Sequence, residues 1–225
     1  MNVFGMRRSR LHLITDCMKN KLKYDFINNF GGSPINNDNK EGDLIYEKVF
    51  SEYSKIKNKE KKIILFEDKF YNLNPNENEN EKNIIIIRDF YDLLISRIKC
   101  ISDGKTFANI DEQFFTTYKK ILREILNKDN IMKNKIIIDT DKFISDENYR
   151  ENILKSLNIN DYKYSKDDIS MYGGGPSFKK NENRDILIPE KIKIMIKSDE
   201  ELILLIKEYY KYDITEKFNF YSKIF

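Results

Sequence analysis

Three short apolar runs in this chain are unbroken: "KIILF" at 62–66, "IIII" at 84–87 and "KIIID" at 135–139. Successive side chains of a strand point to opposite faces, so a strand with one wet face alternates apolar and polar residues. A strand that is apolar at every position has both faces covered, as in a parallel sheet packed between helices. The stretches between these runs have helical spacing instead: Leu11, Ile14, Cys17, Met18 and Leu22; Leu44, Ile45, Val49, Phe50, Tyr53 and Ile56; Leu93, Leu94, Ile98 and Ile101; Phe114, Phe115, Tyr118, Ile121, Leu122 and Ile125. "DENYRENILKSLNI" at 146–159 reads as a further helix. With a short strand over 2–5, the pattern predicts an α/β fold with a central parallel sheet flanked by helices. The strands near 2–5, 62–67, 83–88 and 135–139 should be joined by right-handed crossovers and end on one edge.

"GGSPINNDNKEGD" (31–43) and "NLNPNENENEK" (72–82) are built from turn formers and polar residues and read as loops. No internal repeat and no interdomain linker is visible, so 1–225 is expected to be one domain. Its last part, 181–225, reads as a C-terminal helical segment. The aromatics there either pack on the domain or form an acceptor-binding or dimer surface. Tyr24, Phe26 and Phe30 are read as core, with an acceptor cleft as the alternative.

Charge excludes some partners. Forty basic against thirty-seven acidic residues leave a net charge of +3, too small an excess to predict nucleic-acid or membrane-surface binding. "KIKNKEKK" at 55–62 reads as a solvated helix end. Cys17 and Cys100 are too few and too far apart for a disulfide framework or a zinc site, so both are expected to be buried thiols. No apolar stretch approaches the roughly 20 residues of a membrane span. The first strand leaves no room for a signal peptide, so an intracellular soluble protein is expected.

The chemistry is concentrated at the carboxyl ends of two strands. "VFGMRRSRLH" (3–12) places Arg7, Arg8, Ser9, Arg10 and the only histidine, His12, where a strand turns into a helix. Such a turn presents unpaired backbone N–H groups at the positive end of a helix dipole, an anion site before any side chain is added. Solvated surface arginines are the plainer alternative. "IIIIRDFYDLLISRIK" (84–99) ends a buried strand with Arg88 and puts Ser96 in the second turn of the next helix. Ligands of open α/β sheets bind at that edge, and a guanidinium and a hydroxyl there could share one phosphate. An Arg–Asp turn pairing is the alternative.

Together these motifs resemble the sulfotransferases that use 3′-phosphoadenosine 5′-phosphosulfate (PAPS). "FGMRRSRLH" is similar to their 5′-phosphosulfate loop, which reads like PxSGT or GMRRSGNH. "RDFYDLLIS" is similar to their 3′-phosphate motif, an Arg with Ser eight positions on. "IIIDTDKFISDENYRENILKSLNI" (136–159) resembles their later strand, acidic loop and helix, and "GGGPSF" (173–178) their Gly-Ser-Phe segment. The resemblance covers residues 2–180 in order. It implies a three-layer fold of the P-loop type and transfer of a sulfuryl group from PAPS to a hydroxyl or amine of an acceptor, such as a small molecule or a carbohydrate. It implies that Arg7, Arg8, Ser9, Arg10, Leu11 and His12 hold the 5′-phosphosulfate, and that Arg88 and Ser96 hold the 3′-phosphate. Gly174, Gly175, Ser177 and Phe178 would close over the nucleotide. Arg8 stands where many members have a lysine that supports the departing oxygen. Arg10 stands where the family has glycine, a residue free to take positive φ. Arginine fits there if its φ is negative and its side chain points outward, towards the phosphate; the alternative is that PAPS binding is weakened or lost.

Sulfuryl transfer needs a base for the acceptor's proton. Glu67 ends the "KIILFED" strand at the same edge, where several sulfotransferases carry an acidic base, and His12 is the second candidate. A salt bridge or cap for Glu67, and phosphate contact or packing for His12, are the alternatives; Asp68 reads as structural. One histidine and no Cys–His cluster give no metal site. Two other functions remain in view. A P-loop phosphotransferase or nucleotide-binding protein is disfavoured by the missing GxxxxGK[ST] loop. A non-catalytic protein that kept the fold is supported by Arg10.

Overall fold

Five strands lie side by side in the order β2-β3-β1-β4-β5, every neighbouring pair parallel. They are β1 (Asn2–Gly5), β2 (Asp25–Ile27), β3 (Lys62–Glu67), β4 (Asn83–Ile87) and β5 (Lys135–Asp139). The computed structural model describes residues 1–28, 51–52, 54–57, 61–68, 82–104, 109–159 and 188–222. Four strands fall where the sequence puts them, three of them on the unbroken apolar runs, and β4 ends one residue earlier, leaving Arg88 just beyond it. The fifth, β2, is a three-residue edge strand, too short to leave a pattern in the sequence.

The helices are α1 (Leu11–Leu22), α2 (Phe90–Ser102), α3 (Glu112–Ile125), α4 (Thr140–Ser145), α5 (Glu147–Ser156), α6 (Glu190–Lys197), α7 (Glu200–Tyr210) and α8 (Ile214–Ser222). The helix expected over 44–56 lies mostly outside the described residues. No described helix is long and apolar enough to cross a membrane.

The unbroken runs are explained by two cores. On one face of the sheet Val3, Ile63, Leu65, Ile84, Ile86 and Ile138 pack with α1, α4 and α5. On the other, Phe4, Ile64, Phe66, Ile85 and Ile87 pack with α2, α3 and the C-terminal helices. Phe4 stacks on Phe66 with centroids 4.8 Å apart. The C-terminal helices contribute Ile196, Leu202, Leu205, Ile206, Ile214 and Phe218 to this second core. Cys17 and Cys100 are buried and form no disulfide. Tyr24 and Phe26 are half-buried against the α1 face, and Phe30 lies outside the described residues.

Topology decides where a ligand can sit. The chain leaves β1 toward the β2 edge but leaves β4 toward the β5 edge. Connections diverging from adjacent strands open a crevice at their carboxyl ends, where open α/β sheets bind ligands. Here the crevice lies between the loop after Gly5 and the turn after Ile87. Gly5 is demanded by the close approach of α1: a methyl there would run into the Leu11 side chain and stand 2.9 Å from the Ile86 carbonyl oxygen. Gly5→Ala should therefore lower stability by about 1–3 kcal/mol, as overpacking does. Urea unfolding of the variant measures this, and an unchanged midpoint would contradict the packing described.

Candidate functional site

The chain has five residues, 6–10, in which to turn from β1 into α1, and it does so with two arginines in the left-handed region. Arg8 has φ 72° and Arg10 φ 61°. Ser9 closes the turn by donating both its backbone N–H (3.0 Å) and its hydroxyl (2.5 Å) to the Met6 carbonyl. A turn over 6–9 with positive φ at its third residue is one that ordinarily selects glycine. Each non-glycine residue held this way costs on the order of 1–2 kcal/mol. Such strain clusters where ligands are bound. The condition of a negative φ at Arg10 is thus not met: the short crossing into α1 imposes the glycine-like conformation, and the arginine side chain leaves the loop.

The side chains leaving the loop meet residues distant in sequence. Arg8 Nε donates to Ser96 Oγ at 3.2 Å, and the Arg8 carbonyl accepts from Arg88 Nη1 at 3.0 Å. The two motifs read separately from the sequence are therefore one structure. Arg10 Nη1 reaches Asp141 Oδ1 at 2.9 Å, while Asp141 Oδ2 accepts from the Asp89 backbone N–H at 3.1 Å. Asp141 is held over the crevice by its neighbours. Thr140 donates to the Ile87 carbonyl at 3.1 Å, and Asp139 caps α4 through the N–H groups of Asp141 and Lys142.

Arg88 is the most constrained member. It is 6% exposed, and its Nε has no hydrogen-bond partner among the described residues. Burial, then the charge of Arg10 and more weakly that of Arg8, pull its pKa down to about 10 against the support of Asp141 and Asp92. Its own carbonyl accepts from Tyr118 Oη at 2.9 Å and from Tyr210 Oη at 2.6 Å, the two phenols lying 2.8 Å apart. Burial pushes both phenols well above their usual pKa, so they stay neutral donors. Asp89, which caps α2 through the Asp92 N–H, is also approached by Lys217 of α8 at 3.5 Å. The C-terminal helices thus brace the Arg88 turn.

The other flank of the loop is acidic. His12 Nε2 lies 3.1 Å from Glu67 Oε1, and Arg7 Nε lies 3.5 Å from Glu67 Oε2 and 3.6 Å from Asp68 Oδ2. Asp68, at φ 54°, accepts the Arg7 backbone N–H at 2.9 Å and a short bond from the buried Arg97. Arg97 in turn donates to the Asn109 carbonyl at 2.7 Å and lies over the Phe114 ring at 4.6 Å. Burial raises the Glu67 pKa, but hydrogen bonds and charge from His12 and Arg7 outweigh it and hold the carboxyl below its ordinary range. Glu67 is therefore ionised at neutral pH.

Of the expected site residues, Arg8, Arg10, Arg88 and Ser96 meet around the crevice, and His12 and Glu67 meet at its acidic flank. Arg7 turns its guanidinium to the acidic pair. Ser9 closes the turn, and Leu11 is a core residue under β1. Gly174, Gly175, Ser177 and Phe178 lie outside the described residues. Asp141, Tyr118, Tyr210 and Arg97 were not singled out. Arg97 follows Ser96 directly, and a buried-face arginine beside the motif was the one available signal.

Two outcomes follow. Removing both hydroxyls with Tyr118→Phe and Tyr210→Phe leaves a buried carbonyl unsatisfied and should cost about 1–3 kcal/mol. Each single change leaves the other phenol in place and should cost much less, so a double-mutant cycle in urea should be strongly non-additive. For Glu67, a folded-state pKa below the unfolded one means that the unfolded chain binds the proton first as acid is added. Its contribution is complete above the unfolded pKa and lost as the pH falls through the folded one. Unfolding at pH 7 and at pH 3 should show a smaller acid loss for Glu67→Gln than for the parent chain; equal losses would contradict the ion pairing.

No protein-family model matches this chain, no curated protein matches it, and no solved structure matches it, so what the crevice does has to be read from its own chemistry.

Proposed function

We propose that the chain is a PAPS-dependent sulfotransferase of P-loop-type fold that transfers a sulfuryl group to a hydroxyl or amine acceptor. The observation that carries this reading is the bonding of Arg8 to Ser96 and of Arg88 to the Arg8 carbonyl. It joins the phosphosulfate-like loop and the 3′-phosphate-like motif at the switch point of the sheet. A second observation fits a bound phosphate: Arg88 is a buried cation with an unused donor, and the charges of Arg10 and Arg8 act on it against those of Asp141 and Asp92. An unsatisfied buried donor costs roughly 1–3 kcal/mol, which an anion would recover.

In this reading Arg88 and Ser96 hold the 3′-phosphate. Ser96 Oγ accepts from Arg8 and keeps its own proton to donate. Bound across the crevice, PAPS supplies a sulfuryl group activated by the phosphate it leaves. Arg8 stabilises charge that develops on the departing oxygen; as a guanidinium it does not donate a proton at neutral pH. On the opposite flank, Glu67 and His12 form a hydrogen-bonded pair able to take the acceptor's proton. A carboxylate with a lowered pKa is a weak base by itself, so in this reading Glu67 orients the His12 ring through its contact with Nε2. Carbohydrates remain one class of acceptor.

Calorimetry with adenosine 3′,5′-bisphosphate, adenosine 5′-monophosphate and ATP with Mg²⁺ tests the nucleotide assignment. The bisphosphate should bind most tightly. Losing a charge-assisted contact costs roughly 1.5–3 kcal/mol, so Arg88→Lys, which keeps the charge but loses the forked donors, should weaken the bisphosphate by about tenfold. Ser96→Ala should weaken it less. Equal affinity for bisphosphate and monophosphate would rule the reading out, and preference for ATP with Mg²⁺ would favour a phosphotransferase.

A further inference from the structure

The Arg10–Asp141 ion pair spans the crevice that the proposed function assigns to the nucleotide, and four observations bear on it. First, the pair is accessible: the side chains are 31% and 34% exposed, and an ion pair in such a setting is worth only about 0–1 kcal/mol. It does not by itself offset the cost of holding an arginine at φ 61°. Second, Asp141 does not depend on Arg10 for its position. Its other oxygen accepts the Asp89 N–H at 3.1 Å, and the capped turn before α4 fixes its backbone. Third, that anchor is the residue next to Arg88, so the carboxylate holds Arg10 beside the Arg88 turn and away from the start of α1. Fourth, Arg88 has a buried Nε with no partner among the described residues, and Arg10 is the strongest positive influence on it, ahead of Arg8.

We propose that Arg10 is a third guanidinium of the phosphate pocket built on Arg88 and Ser96, held by Asp141 while the pocket is empty and exchanged onto a phosphate monoester when one binds. Asp141 is an internal stand-in for that phosphate. Exchange replaces a half-exposed ion pair by contact with a doubly charged oxyanion, to which an arginine can bond through two parallel N–H groups. The Asp89 N–H keeps the released carboxylate in place. Arg10 then selects for the terminal phosphate near Arg88, and has little influence on a nucleotide that lacks it. This inference rests on the nucleotide reading above and goes beyond it in assigning Arg10 and Asp141 their roles.

The test compares the parent chain with Arg10→Gly, Arg10→Lys and Asp141→Asn, titrated with adenosine 3′,5′-bisphosphate and with adenosine 5′-monophosphate at one ionic strength. Arg10→Gly relieves a strained backbone and should fold at least as stably as the parent, which makes loss of binding interpretable. It should weaken the bisphosphate by about fivefold or more, the loss expected for one charge-assisted contact, with monophosphate affinity unchanged within about twofold. Arg10→Lys should fall between. Asp141→Asn, which removes the competing charge, should bind the bisphosphate more tightly than the parent. Tighter or equal bisphosphate binding by Arg10→Gly overturns the proposal, as does an equal loss for both nucleotides, which would put Arg10 at the other phosphate. Failure of the parent chain to bind the bisphosphate at all overturns the nucleotide reading itself and this inference with it.

Discussion

The Arg88 guanidinium joins more of this structure than any other single group. It lies just past β4, nearly buried, and its Nη1 holds the carbonyl of a residue in the loop after β1. Its own carbonyl is held by phenols from α3 and α7. Burying a cation is expensive unless it is paired and hydrogen-bonded. This one has a partly answered hydrogen-bonding capacity and a lowered pKa, with Asp141 and Asp92 as the nearby negative charges. A stabilising element would have been better served by an apolar residue of similar volume, since replacing buried ions in this way is often neutral or favourable. Under the proposed function a bound phosphate would supply the partner that Arg88 Nε lacks among the described residues.

The loop is polarised around that centre. On one side Arg8 bonds Ser96, Arg10 bonds Asp141 and Arg88 bonds the Arg8 carbonyl. On the other, two carboxylates, Glu67 and Asp68, are matched by Arg7, His12 and Arg97. The separation follows from the topology, since β3 and β4 flank β1 on opposite sides and each delivers its own residues to one side of the loop. Under the proposed function the cationic side would take the anionic donor and the Glu67–His12 pair the acceptor's proton, the division of labour that group transfer from such a donor needs.

Much of the frame was legible in the sequence because burial on two faces leaves an unmistakable mark. "IIII" at 84–87 can only be a strand covered on both sides or part of a buried helix, and its length and β-branched content favour the strand. β2 left no such mark, because three residues at an edge, half-exposed, need no pattern. At the candidate site, the residues that a local motif brings together were legible: Arg8, Arg88, Ser96, Glu67 and His12. Those supplied across the fold were not. Tyr210 lies 122 residues from the carbonyl it holds, and nothing in "EYYKYD" distinguishes a site brace from a packed aromatic. Asp141 stood inside a quoted motif, but its use as a partner for Arg10 depends on where β5 ends relative to β1.

Arg10 shows most clearly why a residue type and its backbone must be read together. From sequence, an arginine in place of glycine suggests either a changed loop or a lost function. The structure bears on the first of these alone. The backbone keeps the left-handed conformation that glycine would supply, so the turn into α1 is unchanged, and the side chain is carried clear of the loop to Asp141. The strain of two adjacent-but-one positive-φ arginines stays in the fold, without a buried contact at Arg10 to offset it. A conformation with that cost is maintained when the surrounding structure enforces it, and here β1 and α1 enforce it from both ends. The same enforcement directs a long cationic side chain across the crevice, so a position that the turn requires to be left-handed also becomes one from which charge can be delivered to a ligand.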